Sequence, residues 1–113
     1  MAEKYSNEHF PFEVTETLSI PPKTVLLEEG KVADRIYLIR KGCMRLFFYN
    51  EGKDITFQFF FEGDFVASFD SLHKGIPSLF SLESIEPSEV LIIKKEDFDK
   101  KIESDPSLRI LYE

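Results

Sequence analysis

Tryptophan is absent from these 113 residues, and there is a single cysteine, Cys43. A lone thiol excludes an internal disulfide, a cysteine-rich zinc site and a cysteine-ligated iron–sulfur cluster within one chain. Histidine is almost as scarce. His9 and His73 are the only two, and they stand far apart in the chain, so a clustered set of imidazole metal ligands is not supplied. Positive charge is the next shortage: 14 Lys+Arg stand against 21 Asp+Glu, a formal net charge of −7. An acidic domain is repelled by phosphate backbones, so this segment is not expected to grip nucleic acid by itself. The N-terminus carries no long apolar run, which predicts neither a signal peptide nor a membrane span and makes the cytoplasm the expected compartment. There is no Gly-rich phosphate loop of the nucleotide-hydrolase kind, no nucleophile elbow and no triad candidate. The expectation is a protein without catalytic residues, metal or cofactor.

What is present fits one domain with a modest core. Apolar content of 42% and charged content of 31% are ordinary for a globular chain. The twelve phenylalanines are not ordinary; without tryptophan they must supply most of the bulky core volume. Residues 1–12 are polar apart from Phe10-Pro11-Phe12 and read as a loose N-terminal arm. Val14–Ile20 alternates apolar with polar residues, a half-buried strand ended by Pro21-Pro22. Thr24–Leu27, Ile36–Ile39, Cys43–Tyr49 and Asp54–Phe61 follow as strands, and Leu79–Ile85 and Val90–Ile93 as two more. In Asp54–Phe61 the alternation sets Ile55, Phe57, Phe59 and Phe61 on one side.

The glycines fall at 30, 42, 52, 63 and 75, and each terminates an apolar run. Short strands with turn signals at such spacing mark a sandwich or barrel, and a continuous antiparallel roll or jelly roll solves the edge problem for such a chain. Beyond Lys94 the period changes: Phe98 and Ile102 are four apart on one helical face within Glu96–Glu103. Asp105-Pro106 then opens a second helix, with Leu108, Leu111 and Tyr112 as an apolar stripe.

One stretch interrupts the strands. Gly63-Asp64 is a turn signal, Phe65–Leu72 reads as a short helix, and His73-Lys74-Gly75 closes it before Ile76-Pro77-Ser78 resumes in extended form. A turn, a short helix and a polar loop set between strands make a place for a small anion, because a helix N-terminus presents free N–H groups and a positive dipole end. Asp70, His73 and Lys74 within it read as a solvated loop rather than an anion site, and Cys43 as a buried structural thiol. Phe57, Phe59, Phe60 and Phe61 read as core filling, with an apolar ligand cavity as the alternative. Lys94, Lys95, Lys100 and Lys101 are interleaved with acids and read as a solvated helix face.

From Thr24 onward the chain resembles the effector domain of the Crp/Fnr family, the cyclic-nucleotide-binding β-roll. The resemblance is carried by KTVLLEEGKVADRIYLIRKGCMRLFFYNEGKDITFQFFFEGDF and SLFSLESIEPSEVLIIKKEDFDKKIESDPSL, with Gly30, Ile39, Gly42, Arg45, Gly52, Lys53, Gly63, Asp64 and Phe65 at the family's positions. It implies a mainly β fold, a double-stranded β-helix or jelly roll with short C-terminal helices. The roll would span 13–104, with 105–113 beginning a dimerisation-type helix. It implies a homodimer and an unknown small-molecule effector. DNA would be contacted only through a C-terminal helix-turn-helix that these residues do not include.

Gly63-Asp64 would open the phosphate-binding cassette, and there the chain departs from the pattern. Nucleotide-binding members have Gly-Glu, whose glutamate holds the ribose hydroxyl, where this sequence has Ala67-Ser68. They have Pro-Arg-(Ser/Ala)-(Ala/Thr), whose arginine pairs with the cyclic phosphate, where this sequence has Pro77-Ser78-Leu79-Phe80. Both charged anchors are replaced, so cyclic AMP and cyclic GMP are not expected to bind with useful affinity. In this the text is similar to a branch of the family common in Bacteroidetes-type bacteria. The degenerate cassette makes Asp64, Ala67, Ser68, Phe69, Ser78, Leu79 and Ser81 the candidate ligand-binding residues. The alternatives are a stand-alone β-roll module that binds a small molecule or a protein partner, and a cupin-type enzyme on the same architecture.

Overall fold

In the computed structural model, which describes residues 16–105, the alternating segments pair into two antiparallel sheets. The strands are β1 (Glu16–Ile20), β2 (Val25–Leu27), β3 (Arg35–Lys41), β4 (Met44–Asn50), β5 (Lys53–Phe60), β6 (Phe65–Val66), β7 (Ser81–Ser84) and β8 (Ser88–Lys94). Two helices interrupt and close them, α1 (Phe69–Lys74) and α2 (Lys95–Ser104). One sheet has the order β1-β8-β3-β6 and the other β2-β7-β4-β5. Consecutive strands β3 and β4 therefore lie in different sheets, as do β7 and β8, and the chain winds between layers as a roll. This is the mainly β jelly-roll architecture that the glycine ladder predicts.

The two crossings pack against each other. Gly42 turns the chain from β3 to β4 at a φ of +100°, a conformation that side chains rarely adopt. A Cβ there would lie 2.2 Å from Ser88 Oγ and 2.8 Å from the Pro87 carbonyl oxygen. The Cys43 N–H donates to Ser88 Oγ at 3.3 Å, and the Ile85 N–H donates to the Cys43 carbonyl at 2.9 Å. Cys43 is buried at this junction, and burial pushes its thiol pKa up, as a structural thiol requires.

Between the sheets lies one core cluster, built on Ile20, Tyr37, Ile39, Met44, Leu46, Val66, Leu82, Val90 and Ile92. A second sits at one end, where Phe98 and Ile102 of α2 cover Ile36, Ile93, Ala33, Ala67 and Leu72. With α2 on one face and the opposite sheet on the other, β3 is buried from Ile36 to Ile39 without alternation.

Three expectations are corrected. Phe65-Val66 is a strand, and the helix starts at Phe69. Leu38 and Tyr37 pair with these two residues, and the Gly63 N–H donates to the Ile39 carbonyl at 2.8 Å, so ladder bonds override local helix preference. The strand expected over Leu79–Ile85 is confined to Ser81–Ser84. The third correction concerns β5. Leu46 faces Gln58 while Phe47 faces Thr56, so Phe57 is an extra residue, a β-bulge. One extra residue exchanges the two faces: Ile55 and Phe59 end on opposite sides. Phe57, Phe59 and Phe61 do not fill the core; they are 58%, 50% and 57% exposed. The expected arm over 1–12, the strand start at Val14 and the helix expected beyond Asp105 lie outside the described residues.

Candidate ligand cavity beside the cassette helix

The bulge on β5, the step from β6 into α1 and the loop after Gly75 enclose a cavity of about 520 Å³. Leu46 forms its floor, Phe57, Gln58 and Phe60 one wall, Ala67 to Ser71 a second, and Ile76, Pro77, Leu79 and Phe80 a third. Phe80 stands at the junction of the walls. Its ring centroid lies 4.6 Å from that of Phe57 and 5.9 Å from that of Phe48. Such ring pairs add to the burial they bring.

The third wall is tied down by backbone and hydroxyl bonds. The Ser78 N–H donates to the Lys31 carbonyl at 2.7 Å, and the Gly30 N–H to the Ser78 carbonyl at 2.8 Å. Ser71, 1% exposed, accepts the Ala33 N–H at 2.8 Å and donates to the Ile76 carbonyl. Gly75 caps α1 in the left-handed conformation, which turns the chain back along the cavity.

Of the candidate residues, Ala67, Ser68, Phe69 and Leu79 line this cavity. Ser78 is buried behind it: its hydroxyl lies 2.8 Å from Ser68 Oγ and 2.7 Å from the Phe80 carbonyl, and accepts the Phe80 N–H at 3.1 Å. Asp64 and Ser81 are not part of the lining. Asp64 Oδ2 accepts the Phe61 N–H at 2.9 Å in the turn, and Ser81 Oγ accepts the Glu29 N–H at 2.9 Å. Phe57, Gln58, Phe60, Ile76 and Phe80 complete the lining. The aromatic run of β5 signals apolar surface, but the bulge that points Phe57 to the mouth is not legible in its spacing.

The electrostatics follow from the lining. No Lys or Arg is among it, and Asp70, exposed, is its one charged residue. A recess of about 320 Å³ shares Ala67 and Ser68 and carries Lys31 and Arg35, but also Glu28 and Asp34. There Arg35 is committed to Asp34 at 3.2 Å. Arg45, at a family motif position, serves the outer face of its sheet: it grips both Asp54 oxygens at 2.7 Å, Glu83 Oε1 at 2.9 Å and Thr56 Oγ1 at 2.8 Å. It also sits 4.1 Å from the Phe47 ring centroid. These hydrogen bonds raise the guanidinium pKa further and hold the Asp54 carboxyl below its usual range. Asp70, His73 and Lys74 are exposed as expected, but they lie on helix α1 rather than in a loop. Among the described residues, no group of three His, Cys, Asp or Glu is placed to hold a metal ion, and no helix is long and apolar enough to cross a membrane.

The structure is a two-sheet β-roll with a short helix, α1, beside a half-open pocket and a second helix, α2, packed on its end. The chain belongs to the cyclic nucleotide-binding domain family, whose model matches residues 17–105. The fold is similar to the catabolite activator protein of Thermus thermophilus, with a TM-score of 0.75 and 22% identity over 85% of this chain and 45% of that one. It is similar to the regulatory domain of Toxoplasma gondii PKA crystallised with cAMP, with a TM-score of 0.73 and 16% identity over 86% and 37% of the two chains. A mutant CooA from Carboxydothermus hydrogenoformans gives 0.68 and 14% over 86% and 60%. The chain thus spans under half the length of the first two structures. No curated protein matches the sequence.

Proposed function

We propose that these residues are the effector domain of a Crp/Fnr-type transcriptional regulator whose roll does not take cyclic nucleotides. The observation that supports the reading is the cavity's lining, which holds Ser68 and no Lys or Arg, with Ser78 buried behind it and its hydroxyl 2.8 Å from Ser68 Oγ. By the family resemblance these two serines stand where nucleotide binders carry the glutamate and arginine. A cyclic phosphate entering it would lose its water without gaining a charge-assisted pair. Cytoplasmic location, absence of catalysis and a homodimer formed through a helix beginning near Asp105 belong to the same reading.

The mechanism is a population shift, in which an occupant of the cavity favours one placement of the C-terminal helices. Phe69 supports this coupling. It lines the cavity, and its ring centroid lies 6.4 Å from that of Phe98, the fully buried anchor of α2. One observation favours a second reading, a β-roll module that binds a protein partner: Tyr49, Phe59 and Phe61 are 58%, 50% and 57% exposed, and apolar surface of that kind marks interaction sites. Reading the gene past the codon for Glu113 separates the two. The regulator reading expects an open frame of roughly 70–80 further residues, enough for a helix and a small helical DNA-reading domain. A stop codon there contradicts it and favours the partner-binding module.

A further inference from the structure

We infer that the cavity beside α1 takes an uncharged, ring-bearing apolar molecule. This rests on the reading of that cavity as the effector site and adds the chemistry of the effector. Three features carry it. The volume, about 520 Å³, falls within the roughly 300–1,000 Å³ of small-molecule sites. The walls include four phenylalanines, Phe57, Phe60, Phe69 and Phe80, and aromatic rings pair well with a flat ring system. The polar groups in reach are few and short of charge.

Asp70 repels an anion, and being exposed it supplies no buried counter-charge to hold a cation. Ser68, 6% exposed, and Ser71 are the lining residues with hydroxyls, and Ser71 Oγ is committed to the Ala33 N–H and the Ile76 carbonyl. The single proton of Ser78 goes either to the Phe80 carbonyl or to Ser68 Oγ. In both arrangements Ser68 Oγ keeps a lone pair, so it accepts a hydrogen bond from a ligand N–H or O–H. The ligand is therefore a neutral ring system, with the Ser68 hydroxyl and the Gln58 carboxamide as its polar contacts. The mouth is apolar as well: Leu79, Phe57 and Ile76 are 68%, 58% and 42% exposed, and an occupant that spans them removes that surface from water.

The test is a fluorescence titration of the 113-residue protein with N-phenyl-1-naphthylamine, a neutral diarylamine that brightens in apolar surroundings. A saturable rise is expected. Leu79→Glu and Phe57→Glu, which place a charge at the mouth on exposed positions that folding tolerates, weaken binding about tenfold or more. Phe59→Glu, on the same strand but outside the lining, changes binding by less than about twofold. A rise that never saturates, or one that Phe59→Glu lowers as much as Leu79→Glu, overturns the inference by placing the probe on the outer aromatic surface. Displacement of the probe by micromolar cyclic AMP overturns both the inference and the nucleotide-free reading of the cassette. Absence of binding by either compound overturns the ligand class alone, since the regulator reading is decided by the gene downstream of Glu113.

Discussion

Arg45 shows how a residue at a family motif position is put to structural use. Its guanidinium meets Asp54 through two parallel hydrogen bonds of 2.7 Å and reaches Glu83 on the neighbouring strand. These bonds favour the charged carboxylate, so the Asp54 pKa in the folded state lies below its ordinary value of 3.8. A carboxyl with a depressed folded pKa contributes stability that is present above the unfolded pKa and lost as pH falls through the folded one. The melting temperature of the wild type should therefore exceed that of Asp54→Asn at neutral pH, with the gap closing below pH 3.8. A gap that stays constant, or widens on acidification, would remove the pair from any role in stability. The comparison of two proteins cancels the general acid response of a chain with net charge −7.

At the scale of elements, the turns decide the architecture. Gly42 and Gly52 both sit at positive φ, +100° and +79°, but their surroundings differ. Nothing lies within 4 Å of a Cβ built on Gly52, in the Glu51-Gly52 turn that joins β4 to β5. Gly52→Ala thus carries backbone strain only, about 1 kcal/mol. Gly42→Ala carries the same strain and also drives a methyl into Ser88 and the Pro87 carbonyl, where the two inter-sheet crossings meet, for a loss of about 3 kcal/mol or more. Urea denaturation of the two variants measures the difference, and equal midpoints would show that the crossings are not tightly packed. These turns were also the most legible part of the sequence. All five glycines adopt positive φ, and the strands between them are legible as apolar runs that these glycines end, although β3 and β8 do not alternate in burial. The cassette was less so. Phe65-Val66 has helical neighbours in sequence, and only its ladder with Tyr37 and Leu38 makes it a strand. Phe57 breaks the period of β5 through a bulge, which depends on the partner strand and leaves no mark in composition. The seven candidate site residues divide on the same ground: local text places Asp64 and Ser81 in the cassette, whereas the fold spends their oxygens on backbone N–H groups of the turn at Phe61 and of Glu29.

At the scale of the whole molecule, the roll keeps the family's frame and changes the contents of its pocket. The two sheets form the roll of a cyclic nucleotide-binding domain, whose family model matches residues 17–105, and in the proposed reading Ala67, Ser68, Ser78 and Phe80 stand in place of the small and charged residues of the nucleotide binders. The proposed consequence is a change of ligand chemistry, with Phe69 of the pocket still 6.4 Å from Phe98 of α2 between ring centroids. Isothermal titration of the protein with cyclic AMP tests this most directly. The account predicts no saturable heat at micromolar nucleotide, because no cation in the cavity meets the phosphate. A saturable micromolar heat that disappears on changing Ser68 or Ser78 would contradict it, and would make the two hydroxyls working substitutes for the charged anchors.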